Sequence, residues 1–235
     1  MARSRSESRS GPFSTGVWDR DGGEGAALSD RSYVATIWVI TLLGMMTLAV
    51  GAYLGVTSGV KIGWLGFLLL FGAELAGCFI SAVNVLPAKV LGLTMIALPM
   101  GFILAPALMA YKAVSIVTIA SVSVGMVAGL GFVGMLIPRS LASWGSWLFG
   151  ALWILIIGYI ALPFAANAGI PIHGALRLWD WVGVVLFCGI TIFDFNRAMR
   201  LEKTFFNAFD AGIQVFLDLV NIFIELLSLL GQKND

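Results

Sequence analysis

Seven apolar stretches follow one another along this chain, each long enough to cross about 30 Å of hydrocarbon as a helix rising 1.5 Å per residue. Their approximate limits are residues 33–57, 62–84, 87–110, 113–137, 144–167, 177–199 and 207–230. The links between them are only a few residues long, so neighbouring helices must be antiparallel and closely packed. Gly59, Pro87, Pro138, Gly169 and Pro171 stand at the joints, where glycine and proline break a helical run. No link leaves room for a separate soluble domain. The expected fold class is an all-α membrane protein, a seven-transmembrane helix bundle.

Composition agrees with that reading. The chain is 59% hydrophobic and 11% charged, whereas soluble domains carry about 25% charged residues. A net charge of +1 with no clustered basic face excludes nucleic acid as a partner, because phosphate binding needs Lys and Arg gathered on one surface. Cys78 and Cys188 lie in apolar segments and read as small buried hydrophobes.

Residues 1–30 mix Arg3, Arg5, Arg9 and Arg20 with Glu7, Asp19, Asp21 and Asp30 and are expected to form a disordered, solvated tail. The membrane domain then covers residues 31–231, with a short C-terminal tail at 232–235. The acids among the arginines argue against a transit peptide, and the first apolar run is expected to be a retained signal anchor. One side of the bundle collects ten Lys and Arg, five of them before the first span, with Lys89, Arg139, Arg197, Arg200 and Lys203; the other has Lys61, Lys112, Arg177 and Lys233. The positive-inside rule therefore puts the N-terminus in the cytoplasm and, after seven spans, the C-terminus on the other side. Gly51 with Gly55, and Gly125 with Gly129, have the spacing that lets helices approach closely, and they read as packing positions.

The last stretch is the most polar. Asp210, Gln214, Asp218, Asn221, Glu225 and Ser228 fall within roughly 80° of one another at 100° per residue. Such a stripe would be costly against lipid, so this helix is expected at the centre of the bundle. Asp194 sits near the cytoplasmic end of the preceding span, one turn after Thr191, and can come level with Asp218. Two carboxylates in a poorly hydrated site titrate as a unit. One shared proton holds the helices together; with none the carboxylates repel and can accept a cation. The pair is thus a candidate pH sensor and gate, with Thr191, Gln214, Asn221, Glu225 and the mid-membrane acid Glu74 on the ion path. The bland alternative is that these groups satisfy hydrogen bonds between packed helices.

As a metal site Asp194 and Asp218 would bind calcium weakly, since calcium wants six to eight oxygens and water must supply many of them. Weak coordination suits an ion that has to leave again. Zinc is not expected, because thiolate and imidazole ligands at the usual spacings are absent. An enzyme is not expected either. The single histidine, His173, reads as a loop residue beside Pro171, which leaves a serine protease without a base. An intramembrane aspartyl protease carries Gly-x-Gly-Asp at its second aspartate, whereas here Val215, Phe216 and Leu217 precede Asp218.

These residues resemble the Bax inhibitor-1 family, the transmembrane Bax inhibitor motif proteins. The run Ile192, Phe193, Asp194, Phe195, Asn196 and Arg197 is similar to the family's sixth-helix motif. Phe216 to Phe223, ending in Leu229, Leu230 and Gly231, looks like its seventh-helix signature, and the 24-residue separation of the aspartates fits. Gly101, Ala105, Pro106 and Tyr111 resemble the third-helix motif, and Arg139 to Trp147 the fourth loop. The resemblance implies six helices around a central seventh. It also implies a pH-sensitive calcium leak, as in bacterial members, with a hydrogen-bonded Asp pair as sensor and with Glu74 at an acidic second-helix position. Eukaryotic members suppress cell death. One departure is plain: an Arg that bacterial members carry about three turns after that Glu is missing from Ser81, Ala82, Val83, Asn84 and Val85. Lys89 and Arg197 are the candidates to replace it.

Two functions follow. The first is a proton-gated cation leak, with no cofactor, with calcium and protons as the ions handled and the lipid bilayer as the surroundings. The second is an interaction protein that restrains a membrane protein partner, such as a protease or a cell-death factor, without flux of its own. The expected location is a bacterial inner membrane rather than the endoplasmic reticulum.

Overall fold

A computed structural model describes residues 27–169 and 171–234. Seven helices account for most of it: α1 (Asp30–Ser58), α2 (Trp64–Ser81), α3 (Leu86–Met109), α4 (Ala113–Leu136), α5 (Trp144–Asn167), α6 (His173–Ala198) and α7 (Phe205–Leu230). All seven are long and apolar enough to cross a membrane, as their sequences predict. Most of the proposed tail lies outside the described residues. Its last residues do not follow the tail reading: the Ser29 side chain caps α1 by accepting from Ser32 N, and Leu28 N donates to Lys203 O at 2.7 Å.

Several boundaries differ from expectation, α1 starting three residues early at Asp30. α2 stops at Ser81 instead of continuing to residue 84: Val85 is extended and α3 starts at Leu86, with Pro87 in its first turn, where a proline's fixed φ suits a helix start. α6 begins at His173, about a turn early, so His173 opens a helix and is not a loop residue.

The core is built around α7, whose backbone packs on α6, α1 and α4 and more lightly on α3. The central position shows in its burial: Phe209, Phe216 and Val220 are buried on one side, Ile222 on another, and Asp218 and Glu225 of the polar stripe are buried as well. These four helices pack their backbones on α7, whereas α2 packs chiefly on α3, and α5 packs chiefly on α6 and reaches α7 through a side chain. At the α1–α3 contact, a Cβ at Gly51 would run into Leu98 O and one at Gly101 into Leu48 O. Gly125 and Gly129 meet nothing within 4 Å. Of the two spaced glycine pairs, then, only Gly51 and Gly55 serve packing in this chain.

Candidate functional site on the central helix

The polar stripe of α7 divides into levels, each meeting a different neighbour. α7 starts on the same side of the bundle as the N-terminus of α1, and Asp210 lies in its second turn. There it meets the Lys89 ammonium of α3 at 2.5 Å. Lys89 is fully buried; it also donates to Ser81 O at 3.1 Å and stands 5.6 Å from the centre of the Phe206 ring. Lys89 therefore ties the end of α2, the start of α3 and α7 together. As a substitute for the missing arginine it holds Asp210, eight residues and about 12 Å of helix from Asp218.

Asp218 comes next and is 3% exposed. Thr41 of α1 donates to Gly212 O at 3.1 Å, and Phe216 fills the space left by Gly44, so α1 closes this side of α7. From α6, Thr191 faces the Asp218 carboxyl while its hydroxyl donates to Phe187 O at 2.8 Å. Asp194, one turn on, lies within electrostatic range of Asp218, and Arg197 acts on Asp194 in turn. The two aspartates thus share one level of the bundle. Asp218 Oδ2 is buried without any hydrogen-bond partner. That oxygen is an acceptor that a proton or a cation would satisfy.

Near the far end of α7, Glu225 is 6% exposed and its Oε2 lies 2.6 Å from the Tyr159 hydroxyl of α5. Tyr159 is also 2.9 Å from Asp180 Oδ1 of α6, and Ser228 donates to Asp180 Oδ2 at 2.6 Å. Asp180 and Tyr159 were not legible as site residues in the sequence. Asp180 sits close to the start of its span, where a charge reads as an end marker, and an isolated Tyr in an apolar run gives no signal. Gln214 and Asn221 are half-buried on the less covered face of α7. Glu74 is set apart: α2 packs on α3, and Glu74 Oε1 is a second buried oxygen without a partner. No hydrogen bond or ion pair joins Glu74 to α7 among the described residues, so the structure does not bring it to the aspartates.

A groove of about 600 Å³ opens between α4 and the far end of α7, lined by Lys112, Ser115, Thr118, Gln232 and apolar side chains including Leu226 and Leu230. With a lysine and no acid in its lining, it is not a place for a cation. Among the described residues no group of three or more His, Cys, Asp or Glu is placed to hold a metal ion. An ion at Asp194 and Asp218 would therefore be held by two carboxylates and water.

Comparison with known proteins gives the same architecture a family. The chain matches the family described as inhibitor of apoptosis-promoting Bax1 over residues 30–235. It is 28% identical over 143 residues to an uncharacterized protein of Borreliella burgdorferi, covering 57% of this chain and 60% of that one. To inner membrane protein YbhL of Escherichia coli it is 25% identical over 142 residues, 57% of this chain and 58% of the relative. To the Golgi anti-apoptotic protein of vaccinia virus it is 31% identical over 97 residues, 41% and 38% of the two chains. Each match thus spans less than two thirds of the relative's length. The family match, in contrast, runs from the first turn of α1 through the whole of α7, and by it this multi-pass membrane protein belongs to the Bax inhibitor-1 family.

Proposed function

We propose that this protein is a pH-sensitive leak channel for cations, calcium foremost, gated by Asp194 and Asp218. The observation that carries the reading is the Asp218 side chain, buried on the central helix with one carboxylate oxygen unpartnered. An unpaired buried carboxylate is costly, and a cost of that kind inside a membrane usually marks a function. With one proton between the two carboxyls, α6 and α7 stay together. When the proton leaves, two like charges repel across the same level and attract a cation. The groups that act on the pair are Arg197, beside Asp194, and Thr191 and Cys188 of α6 near Asp218; α4 carries no titratable group, and the charges Lys89 and Asp210 neutralise each other two turns away. Calcium is the cargo, and two carboxylates completed by water would hold it weakly enough to release it. The bias of Lys and Arg supports an N-terminus in the cytoplasm, and the match to an inner membrane protein of Escherichia coli supports a bacterial inner membrane.

Calcium flux into proteoliposomes, followed from about pH 6 to pH 8 around the neutral range, tests the proposal with Asp194→Asn and Asp218→Asn as separate variants. Flux should rise with pH in the wild type and lose that dependence in either variant. An unchanged pH profile in both rejects the gate. The competing reading, a membrane interaction protein without flux, is favoured by one finding, the anti-apoptotic name of the vaccinia virus relative. Absence of flux above empty liposomes at every pH would turn the case to it.

A further inference from the structure

Beyond the aspartate gate, we propose that Asp180, Tyr159 and Glu225 form a second proton-dependent device, a lock that ties α5 to α6 and α7 at the far end of the bundle. The argument is a count of hydrogens. The Tyr159 oxygen lies 2.9 Å from Asp180 Oδ1 and 2.6 Å from Glu225 Oε2. A phenol has one hydrogen and both carboxylates are acceptors when ionised. Tyr159 can give that hydrogen to one of them, so the other contact needs a hydrogen on the carboxyl itself, pointing back at the phenol. Ser228 already donates to Asp180 Oδ2 at 2.6 Å, so its hydrogen is committed elsewhere. The arrangement therefore holds one proton beyond those of Tyr159 and Ser228, on Asp180 or on Glu225.

The proton matters because of where α5 sits. The backbone of α5 packs on α6 and otherwise faces outward, held to α6 by Trp179, whose ring fills the space at Gly158 and whose Nε1 donates to Leu155 O at 2.9 Å. Tyr159 carries α5 across to the central helix. The seat is closely fitted: a Cβ at Gly183 would collide with the Glu225 carboxyl. Loss of the shared proton leaves two carboxylates, both less than a tenth exposed, around one phenol hydrogen. Their repulsion acts directly on the joint between α5, α6 and α7. The other charged or titratable groups placed near this end are His173, which opens α6 two turns before Asp180, Arg177, exposed one turn from Asp180 on α6, Tyr111, within electrostatic range of Asp180, and the exposed Lys112 and Lys233. At this level α1, α3 and α4 turn no titratable group toward the lock.

The lock is a statement about helix position and is tested without ions. Nitroxide labels at Phe164→Cys on α5 and Leu230→Cys on α7, both exposed, in a Cys78→Ser and Cys188→Ala background, report their separation in lipid nanodiscs by electron paramagnetic resonance. Between about pH 5 and about pH 9 the wild-type separation should lengthen or broaden by about 2 Å, the size of an ordinary helix shift. Glu225→Gln replaces the shared proton with an amide hydrogen and should keep the low-pH separation throughout. Asp180→Asn makes the same replacement from the other carboxyl and should behave alike, which guards against either variant folding poorly. Tyr159→Phe should show the longer separation at every pH. A wild-type separation that does not change over this range, or amide variants that follow the wild-type profile, would overturn the lock. Either result would leave the flux test of Asp194 and Asp218 standing.

Discussion

The Lys89 ammonium, with no exposed side-chain surface, lies 2.5 Å from Asp210 Oδ1, so a cation from α3 neutralises the first acid of the central helix. Lys89→Met should destabilise the protein by about 2 kcal/mol, less than the cost of breaking a fully buried pair because the Asp210 side chain is 34% exposed. Replacing both partners, Lys89→Met with Asp210→Met, should recover most of that loss, because no unpaired charge remains. Thermal unfolding in detergent measures both. A double variant as unstable as the single one would mean that the Ser81 O contact, not the ion pair, holds the joint.

Asn196 anchors the link between α4 and α5. Its amide nitrogen lies 3.2 Å from Gly134 O, 3.0 Å from Ile137 O and 3.2 Å from Arg139 O, while its oxygen accepts from Leu141 N at 3.1 Å. Asn196→Ala strands several buried backbone groups and should cost about 2 kcal/mol. Asn196→Asp should cost at least as much, since it offers carbonyl oxygens no donor. Midpoints of chemical unfolding would show the order.

Two glycine substitutions should separate contact from composition. Gly101→Ala forces a methyl against the α1 backbone and should destabilise by about 2 kcal/mol. Gly125→Ala enters open space and should be neutral or stabilising by up to about 1 kcal/mol through helix propensity. Equal effects at both positions would contradict the close α1–α3 approach.

The span count, the central place of α7 and its polar stripe were readable because each follows from periodicity and the cost of charge in lipid. The partners of the stripe were not. Asp218 is buried and Gln214 half-buried although both belong to one 80° stripe, a division decided by which neighbours cover each side. Lys89 read as a candidate for the aspartate pair, yet its place in the first turn of α3, beside Ser81 at the end of α2, brings it to Asp210 instead. Tyr159 and Asp180 meet Glu225 only because α5 stands outside α6, an arrangement set by Trp179 and Gly158 that no spacing along the chain announces.

The central claim is that Asp194 and Asp218 make flux depend on protons. Calcium entry into proteoliposomes at about pH 6, 7 and 8, compared between the wild type and Asp194→Asn with Asp218→Asn combined, tests it most directly. The account predicts flux that climbs with pH in the wild type and a flat profile in the double variant, whose side chains have no proton to lose. A double variant that keeps the wild-type rise, or a wild type with no flux above empty liposomes, would contradict it.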